Sequence, residues 1–222
     1  MGKRGSKPKG KVKIKWSPNF AYAIGLLVSD GCLSPNGRHV IFVSKEREQI
    51  NNFLKALSIQ VSVGNVYSGY KRKKALRVQF GDVLFYHFLL SIGLTPNKSK
   101  TIGKIKLPAK YFFDFLRGSF DGDGSSYSYW DPRWRSSFMF YTEFVSASKI
   151  HILWLQEEIR KRLRISGHIT GDGKKSSVFQ LKYAKSDSLK LLRKMYPRKR
   201  ALYLERKRLK IERALSIVGE RL

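Results

Sequence analysis

The chain has 222 residues, with 45 lysines and arginines against 16 aspartates and glutamates, which gives a formal net charge of +29. Its 42% hydrophobic and 13% aromatic content excludes a wholly disordered chain. No apolar stretch reaches the roughly 18–20 residues of a membrane-spanning helix, and the single cysteine, Cys32, excludes a disulfide framework or a cysteine-based zinc site. A composition this basic is typical of a protein that binds a polyanion.

The first segment, residues 1–15, is rich in basic residues and almost free of apolar ones. We expect a flexible basic arm that lies along phosphates. The segment has no apolar core, so it does not fit a secretory signal. Together with the single cysteine, this predicts an intracellular protein of the cytoplasm, the nucleoid or an organelle, and not a secreted one.

Two segments of the chain repeat each other, which is a feature to look for before any local assignment. Each is an apolar, helix-like run that contains a glycine and ends in an Asp-Gly pair. The offset is a constant 93 residues at three aligned pairs: Gly25 with Gly118, Asp30 with Asp123, and Gly31 with Gly124.

The pattern that follows each repeated segment is also the same: two strands, a helix, two strands and a helix. Strand-like runs cover residues 38–44, 60–67, 75–80, 135–147, 167–170 and 177–183, and helix-like runs cover 46–57, 83–92, 150–163, 188–195 and 201–215. We predict an α/β (α+β) protein built as a pseudo-twofold pair of αββαββα halves. After the arm, its parts are an N-terminal half (16–93), a linker (94–110) and a C-terminal half (111–222).

The two Asp-Gly pairs suggest a metal site. A carboxylate at a helix C-terminus is unfavourable because the helix dipole is negative there, so Asp30 and Asp123 in an acid-poor chain indicate a bound cation. Gly25 and Gly118 each cost a helix about 1 kcal/mol relative to alanine, a cost that close packing of the two helices would explain. That packing would bring together two acids that repel each other without a metal. Mg²⁺ takes oxygen ligands, and such a pair facing a basic groove predicts a metal-dependent phosphodiesterase.

The alternative is that each Asp-Gly pair only turns the chain after a helix. A single pair favours that interpretation, whereas two pairs at one offset, each after a glycine-bearing apolar helix, favour a site. We expect Gly31 and Gly124 to adopt the left-handed conformation of a helix cap. Asp121 has no acidic counterpart, since Val28 stands at its place in the first copy, and we interpret it as a structural residue or a support for the site.

The two repeated segments resemble the two motifs of the monomeric LAGLIDADG homing endonucleases. The segments in question are residues 23–31 (AIGLLVSDG) and 116–124 (LRGSFDGDG). The linker sequence at 94–100 (LTPNKSK) is similar to the segment that precedes the second motif in many members. The resemblance covers nearly the whole chain after the basic arm.

The resemblance implies two antiparallel sheets that form a DNA-binding saddle, with the motif helices packed at the centre. Asp30 and Asp123 would bind divalent metal, namely Mg²⁺, with Mn²⁺ or Ca²⁺ as substitutes for binding. Backbone carbonyls would complete the metal site from one of two pairs: Gly31 and Gly124, or Ser29 and Gly122. Water would then hydrolyse one phosphodiester per strand across the minor groove of a target of about 20 bp, leaving short 3′ overhangs.

Members of the family often add a central lysine or glutamine from each half. By position, Lys45 and Lys149 are the candidates, because each lies where a strand-like run gives way to a helix. They would stabilise the charge on the phosphorane or tune the attacking water. The alternative is a surface lysine at a helix start. The first motif departs from the family string at Val28 and Ser29, but these positions vary in the family, so we expect activity to be retained.

Strand alternation predicts which side chains face DNA. Arginine and glutamine read guanine and adenine edges, whereas lysines in hairpin loops suit phosphates. Each candidate alone is equally compatible with a solvated strand face. The candidates are Arg38, Lys71, Arg72, Arg77, Gln79, Tyr127, Tyr129, Arg133, Arg135, Lys174, Lys175, Gln180 and Lys182.

Three functional hypotheses follow. The first is a monomeric, site-specific DNA endonuclease, encoded within an intron, whose partner is double-stranded DNA. The second is a nucleic-acid-binding protein that cuts nothing, such as a maturase of its own intron RNA or a LAGLIDADG-derived DNA-binding regulator. Retention of both acids favours the first. Binding to a membrane surface would explain the charge but not the repeat, so we expect no membrane partner.

Overall fold

The computed structural model describes residues 10–68, 73–171, 178–197 and 201–222. The first half consists of α1 (Pro18–Asp30), β1 (Gly31–Leu33), β2 (His39–Ser44), α2 (Arg47–Leu57), β3 (Val63–Ser68), β4 (Lys73–Gly81) and α3 (Val83–Ser91). The second consists of α4 (Phe112–Asp123), β5 (Ser125–Trp130), β6 (Phe138–Ser146), α5 (Lys149–Leu163), β7 (His168–Thr170), β8 (Phe179–Ala184) and α6 (Lys185–Met195). A seventh helix, α7 (Glu205–Ser216), follows them.

Each half contains a four-stranded antiparallel sheet with the same strand order, β1-β2-β4-β3 and β5-β6-β8-β7. The two hairpins of a half therefore pair through their second strands. In this register Val40 pairs with Phe80 and Phe144 pairs with Leu181, and all four side chains are buried. One face of each sheet thus packs on the core, as is common in antiparallel sheets. The predicted fold class, a pseudo-twofold pair of αββαββα halves, is confirmed.

Helices α1 and α4 cross at the centre of the molecule with their backbones in contact. A Cβ atom added at Gly25 would lie 2.1 Å from the carbonyl oxygen of Phe115, and one added at Gly118 would lie 2.1 Å from that of Tyr22. No real side chain tolerates such distances, so glycine is required at both positions. The crossing brings the C-terminal ends of α1 and α4 close together.

Polar caps determine where the helices of the first half begin. Ser17 accepts a hydrogen bond from the amide of Phe20 at the start of α1, and Asp82 caps α3 through the amide of Phe85. Asp82 also accepts hydrogen bonds from the amides of Lys11 and Val12, and Val12 is buried. Residues 10–15 of the predicted arm therefore contact the first half.

Strand β6 begins three residues later than the sequence indicates. Asp131 closes the preceding loop: its amide donates to the carbonyl of Ser137, and its carboxylate accepts from the amide of Arg133. Because this turn occupies residues 131–137, Arg133 and Arg135 lie in the loop between β5 and β6 and not on a strand.

The linker and α7 both pack on the two halves. Ile102 and Ile105 of the linker are buried, as are Ile211 and Leu215 of α7. Helix α7 begins at Glu205, four residues later than the sequence indicates. None of the helices in the described residues is long and apolar enough to cross a membrane.

Candidate functional site

The last residues of α1 and α4 are the two motif aspartates, Asp30 and Asp123. The glycines that follow them are not left-handed, contrary to the expectation, since Gly31 and Gly124 both have extended backbones that lead into the next strand. They are required for another reason: a Cβ atom at Gly31 would lie 2.6 Å from the Cα atom of Leu27. The crowded exit from each helix thus positions its aspartate.

The two carboxylates lie in a weakly solvated place and repel each other. Burial raises the pKa of Asp30 to about 6, and the charge of Asp123 adds to the shift. Asp123 is accessible to solvent, yet loss of hydration still raises the pKa of its carboxyl group. Two lysines, Lys98 and Lys207, oppose both shifts. Carboxylates that are partly desolvated and close to each other are stabilised in their charged form by a nearby cation.

Lys98 is a buried cation supplied by the linker. Its side chain is only 6% exposed, and its Nζ donates a hydrogen bond of 2.5 Å to the carbonyl oxygen of Gly31. Burial lowers the pKa of Lys98, against the attraction of both aspartates. The linker thus delivers one positive charge to the end of the first motif.

Lys207 is the corresponding cation from α7. Its Nζ donates hydrogen bonds to three carbonyl oxygens at the end of α4: Phe120 at 2.6 Å, Gly122 at 2.9 Å and Gly124 at 2.7 Å. Burial lowers the pKa of Lys207 to about 8. In each half, therefore, a buried lysine holds the carbonyl of the glycine after the motif aspartate.

Gln49, near the start of α2, completes the environment of Asp30. Its amide Nε2 donates to Asp30 Oδ2 at 3.2 Å and to the carbonyl of Asp121 at 3.2 Å, and its Oε1 accepts from Ser44 Oγ at 2.5 Å. These bonds orient the amide and hold the Asp30 carboxylate in place.

A cavity of about 310 Å³ lies beside Asp123, on the side of the linker. Lys98, Ser99 and Ile102 line it from the linker, and Ser29, Ser119 and His151 line it from the helices. The cavity is polar enough and large enough to hold water.

The structure brings together the predicted acids, while a catalytic role for the two predicted lysines stays a prediction. Lys45 and Lys149 are exposed at the starts of α2 and α5, whereas the lysine charges that act on Asp123 come from Lys98 and Lys207. Of the predicted metal-ligating carbonyls, those of Gly31, Gly122 and Gly124 accept hydrogen bonds from these lysines. The backbone carbonyl of Ser29, the fourth candidate, stays a prediction.

Asp121 has a structural role. It is almost fully buried, and its carboxylate accepts hydrogen bonds from the hydroxyls of Tyr22 and Tyr196 and from the amide of Leu204. The last of these bonds holds the chain just before α7, the helix that carries Lys207. Asp121 therefore ties the lysine-bearing helix to the crossing of α1 and α4.

The donor set fits Mg²⁺ better than a transition metal. In the described residues no cluster of three or more histidine, cysteine, aspartate or glutamate side chains could hold a metal ion. Mg²⁺ is commonly bound by one or two carboxylates together with water and substrate phosphates. Two desolvated, mutually repelling carboxylates match that arrangement.

The predicted DNA-facing residues of the strands lie opposite the core. In β4, Val78 and Phe80 are buried, while the intervening Gln79 is exposed and its side-chain oxygen accepts a hydrogen bond from Arg77. Residues Gln180 and Lys182 of β8 are half-buried, whereas Leu181 and Tyr183, which alternate with them, are buried. Of the loop candidates, Arg38, Arg133 and Arg135 are exposed, and Lys71, Arg72, Lys174 and Lys175 lie outside the described residues.

Aromatic side chains form a stack on the second sheet. The rings of Tyr127 and Tyr141 lie 5.1 Å apart, and those of Tyr129 and Tyr141 lie 6.3 Å apart, in nearly parallel planes. Flat aromatic faces of this kind pack against sugars and bases.

Two αββαββα halves with their first helices crossed at the centre constitute the LAGLIDADG fold, and comparison with solved structures shows the same fold. The homing endonuclease I-WcaI bound to its DNA recognition sequence matches with a TM-score of 0.61 at 14% identity, over 90% of this chain and 88% of that chain. The I-LtrWI LAGLIDADG homing endonuclease bound to target DNA matches with a TM-score of 0.56 at 10% identity, over 91% of each chain.

A third similar structure is full-length WhiA from Thermatoga maritima, with a TM-score of 0.58 at 16% identity over 95% of this chain. This chain spans 64% of the length of that protein. No protein-family model and no curated protein sequence matches the chain. At these identities the similarity establishes the fold, and the activity has to be argued from the site.

Sequence reasoning missed Gln49, Lys98 and Lys207. Lys207 stands on the apolar stripe of α7, four residues before Ile211 and eight before Leu215, and a lysine on such a stripe is expected to be buried. The burial of Lys207 was therefore predictable from the sequence. The role of Lys98 depends on how the linker folds back on the first motif, which no local pattern shows.

Proposed function

We propose that the chain is a metal-dependent, site-specific DNA endonuclease of the homing type. The observation that carries the proposal is the meeting of Asp30 and Asp123 at the ends of two crossed helices, each beside a buried lysine. A protein of net charge +29 that concentrates two carboxylates and two lysines in one place has the groups needed for phosphodiester hydrolysis. Because both halves are in one chain, we propose that it acts as a monomer on double-stranded DNA.

Asp30 and Asp123 would hold the divalent metal, with Mg²⁺ favoured and Mn²⁺ or Ca²⁺ as substitutes for binding. The bound metal supplies electrostatic stabilisation of phosphoryl charge and activates water. Gln49 keeps Asp30 oriented. Lys98 and Lys207 would act from behind the carbonyl groups that they bind, where their positive charges would favour the negative charge that develops on the phosphoryl oxygens. Hydrolysis of one phosphodiester per strand across the minor groove would leave short 3′ overhangs.

The second candidate is a nucleic-acid-binding protein that does not cleave. The observation that favours it is that Lys98 and Lys207 already provide counter-charges to the two aspartates. These lysines would take the place of a bound metal as partners of the aspartates in a regulator or an RNA maturase. The two candidates differ in whether the bound nucleic acid is cut.

A cleavage selection separates the two candidates. Wild-type protein and the double variant Asp30→Asn with Asp123→Asn are each incubated with a library of randomised duplexes, in Mg²⁺ and in EDTA. The endonuclease proposal predicts that the wild type enriches one long site, cut on both strands only with metal, and that the double variant binds this site without cutting it.

The matched control is Asp187→Asn, which removes an acid that pairs with Lys190 on α6. It should cut like the wild type. Binding without cutting by the wild type under Mg²⁺ and Mn²⁺ alike would contradict the proposal and favour the second candidate.

A further inference from the structure

The two halves of the site differ at one equivalent position. Gln49 is the third residue after Glu46, the N-cap of α2, and His151 is the third residue after Ser148, the N-cap of α5. Both helices follow the second strand of their half. Gln49 reaches Asp30 with its amide, so the pseudo-twofold places His151 on the side of Asp123.

One ring nitrogen of His151 is anchored and the other is not. Nδ1 lies 2.8 Å from the carbonyl oxygen of Gly103, and because a carbonyl only accepts, Nδ1 carries the proton. Nε2 is therefore an acceptor. His151 is 2% exposed, and its Nε2 has no hydrogen-bond partner among the residues that the structure describes.

A buried polar atom without a partner calls for an explanation, such as a bound water or a catalytic role. His151 lines the same 310 Å³ cavity as Asp123 and Lys98. Burial lowers the pKa of His151 to about 4, with Lys98 adding to the shift, so the ring stays neutral at neutral pH. A neutral acceptor does not attract a phosphate oxygen, which is also an acceptor, whereas it does bind water.

We propose that His151 is a catalytic residue of the half-site built on Asp123, where its Nε2 accepts a hydrogen bond from the water that attacks the phosphodiester. This inference rests on the proposed endonuclease function. The water oxygen forms a bond to phosphorus while the bond between phosphorus and O3′ breaks. The electron pair leaves with O3′, which takes a proton from solvent, and the proton lost by the water is released to solvent. His151 orients the water and is unchanged at the end.

The proposal predicts that the two strands are cut with different dependence on residue 151. His151→Asn keeps a side-chain donor near Gly103 but removes the acceptor. His151→Gln loses the anchor but supplies an amide oxygen near the place of Nε2, with the residue type that stands at the equivalent position, Gln49, in the other half. We expect His151→Asn to cut one strand about 10²-fold more slowly than the wild type, the scale of a lost orienting contact, and His151→Gln to recover part of that rate.

The experiment follows single-turnover cleavage of a duplex recovered by the selection, with each strand labelled separately, in Mg²⁺. Two readouts do not depend on cleavage. Affinity for the same duplex in Ca²⁺ should be equal in all three proteins, and the ¹⁵N resonance of His151 Nε2 should be that of an unprotonated nitrogen and should shift when the duplex and Ca²⁺ are added.

Each outcome decides the matter. Slower cleavage of one strand in His151→Asn, with partial rescue in His151→Gln, supports the assignment. Three results overturn the assignment of His151 while the endonuclease function stands. They are an equal loss of cleavage on both strands, no loss on either strand, and normal cleavage by His151→Asn with a loss in His151→Gln. A wild type that binds the duplex but nicks neither strand overturns the proposed function and this assignment with it.

Discussion

At the scale of residues, the site depends on two neighbouring aspartates whose carboxyl groups have each lost part of their hydration. Asp30 has a pKa of about 6, mainly through burial and then through the charge of Asp123. Lys207, with a pKa of about 8, remains mostly protonated at neutral pH. The site therefore combines a carboxylate, Asp30, that loses its proton near neutrality with a lysine, Lys207, that keeps its own, which suits the binding of a cation.

The first prediction concerns stability and pH. The pKa of Asp30 in the folded protein lies above its ordinary value of 3.8, so the folded state binds the proton of this carboxyl group more tightly than the unfolded state does. Protonated Asp30 therefore favours folding fully below about pH 4, and this stabilisation is lost as the pH rises through about 6. Asp30→Asn should therefore raise the free energy of unfolding in EDTA by about 1–2 kcal/mol at pH 7.5, after a discount for partial exposure, and by less at pH 4. Urea denaturation at both pH values measures this.

The control for this experiment is again Asp187→Asn, which should change stability little at either pH. Adding Mg²⁺ at pH 7.5 should stabilise the wild type more than Asp30→Asn, since only the wild type keeps both carboxylates. A larger gain for Asp30→Asn at pH 4 than at pH 7.5 would contradict the electrostatic account.

The second prediction concerns the buried lysines. Lys207→Met removes the cation at the end of α4, and we expect cleavage to fall about 10²–10³-fold, as for other lost charge-stabilising donors, with DNA affinity largely retained. Lys210→Met is the matched control, because Lys210 lies on the same helix and, among the residues that the structure describes, donates only to the carbonyl of Ser126. Equal losses in the two variants would mean that α7 matters for folding and not for chemistry.

At the scale of elements, the crossing of α1 with α4 is what turns two distant motifs into one site. The sequence predicted this crossing from Gly25 and Gly118, because glycine inside an apolar helix needs a packing reason. It mispredicted the glycines after the acids, since a left-handed cap and a crowded extended exit both require glycine. The placement of Lys98 and Gln49 was not predictable, because it depends on contacts between elements far apart in the chain.

The third prediction tests the crossing. Gly118→Ala would place a Cβ 2.1 Å from the carbonyl oxygen of Tyr22, and we expect it to destabilise the fold by about 1–3 kcal/mol or more, as overpacking of a core does. Gly64→Ala in β3 is the control, because the nearest atom to its Cβ would be 4.0 Å away. Thermal unfolding of both variants measures the difference, and equal melting temperatures would contradict the packing argument.

At the scale of the whole molecule, the fold prediction depended mainly on the constant 93-residue offset between the two repeated segments, since two copies of one pattern predict two similar halves. Element types followed from hydrophobic periodicity, and their ends shifted where side chains decide them, as Asp131 does before β6. Helix α7 lies outside the repeat, so its role in the site could not be inferred from the first copy.

The fourth prediction follows from the net charge of +29. If the two sheets contact about 6–10 phosphates, affinity for DNA should fall about 10³–10⁵-fold between 50 and 200 mM salt. Filter binding or fluorescence anisotropy across that range measures the slope. A shallow slope would contradict a long DNA footprint.

The proposed function requires Asp30 and Asp123 to hold divalent metal at the DNA backbone. The most direct test is anomalous diffraction from crystals of the chain with a selected duplex and Mn²⁺. We expect anomalous peaks at both carboxylates, beside a phosphate on each strand, and none in the Asp30→Asn, Asp123→Asn double variant. Bound DNA without any anomalous peak at these carboxylates in the wild type would contradict it.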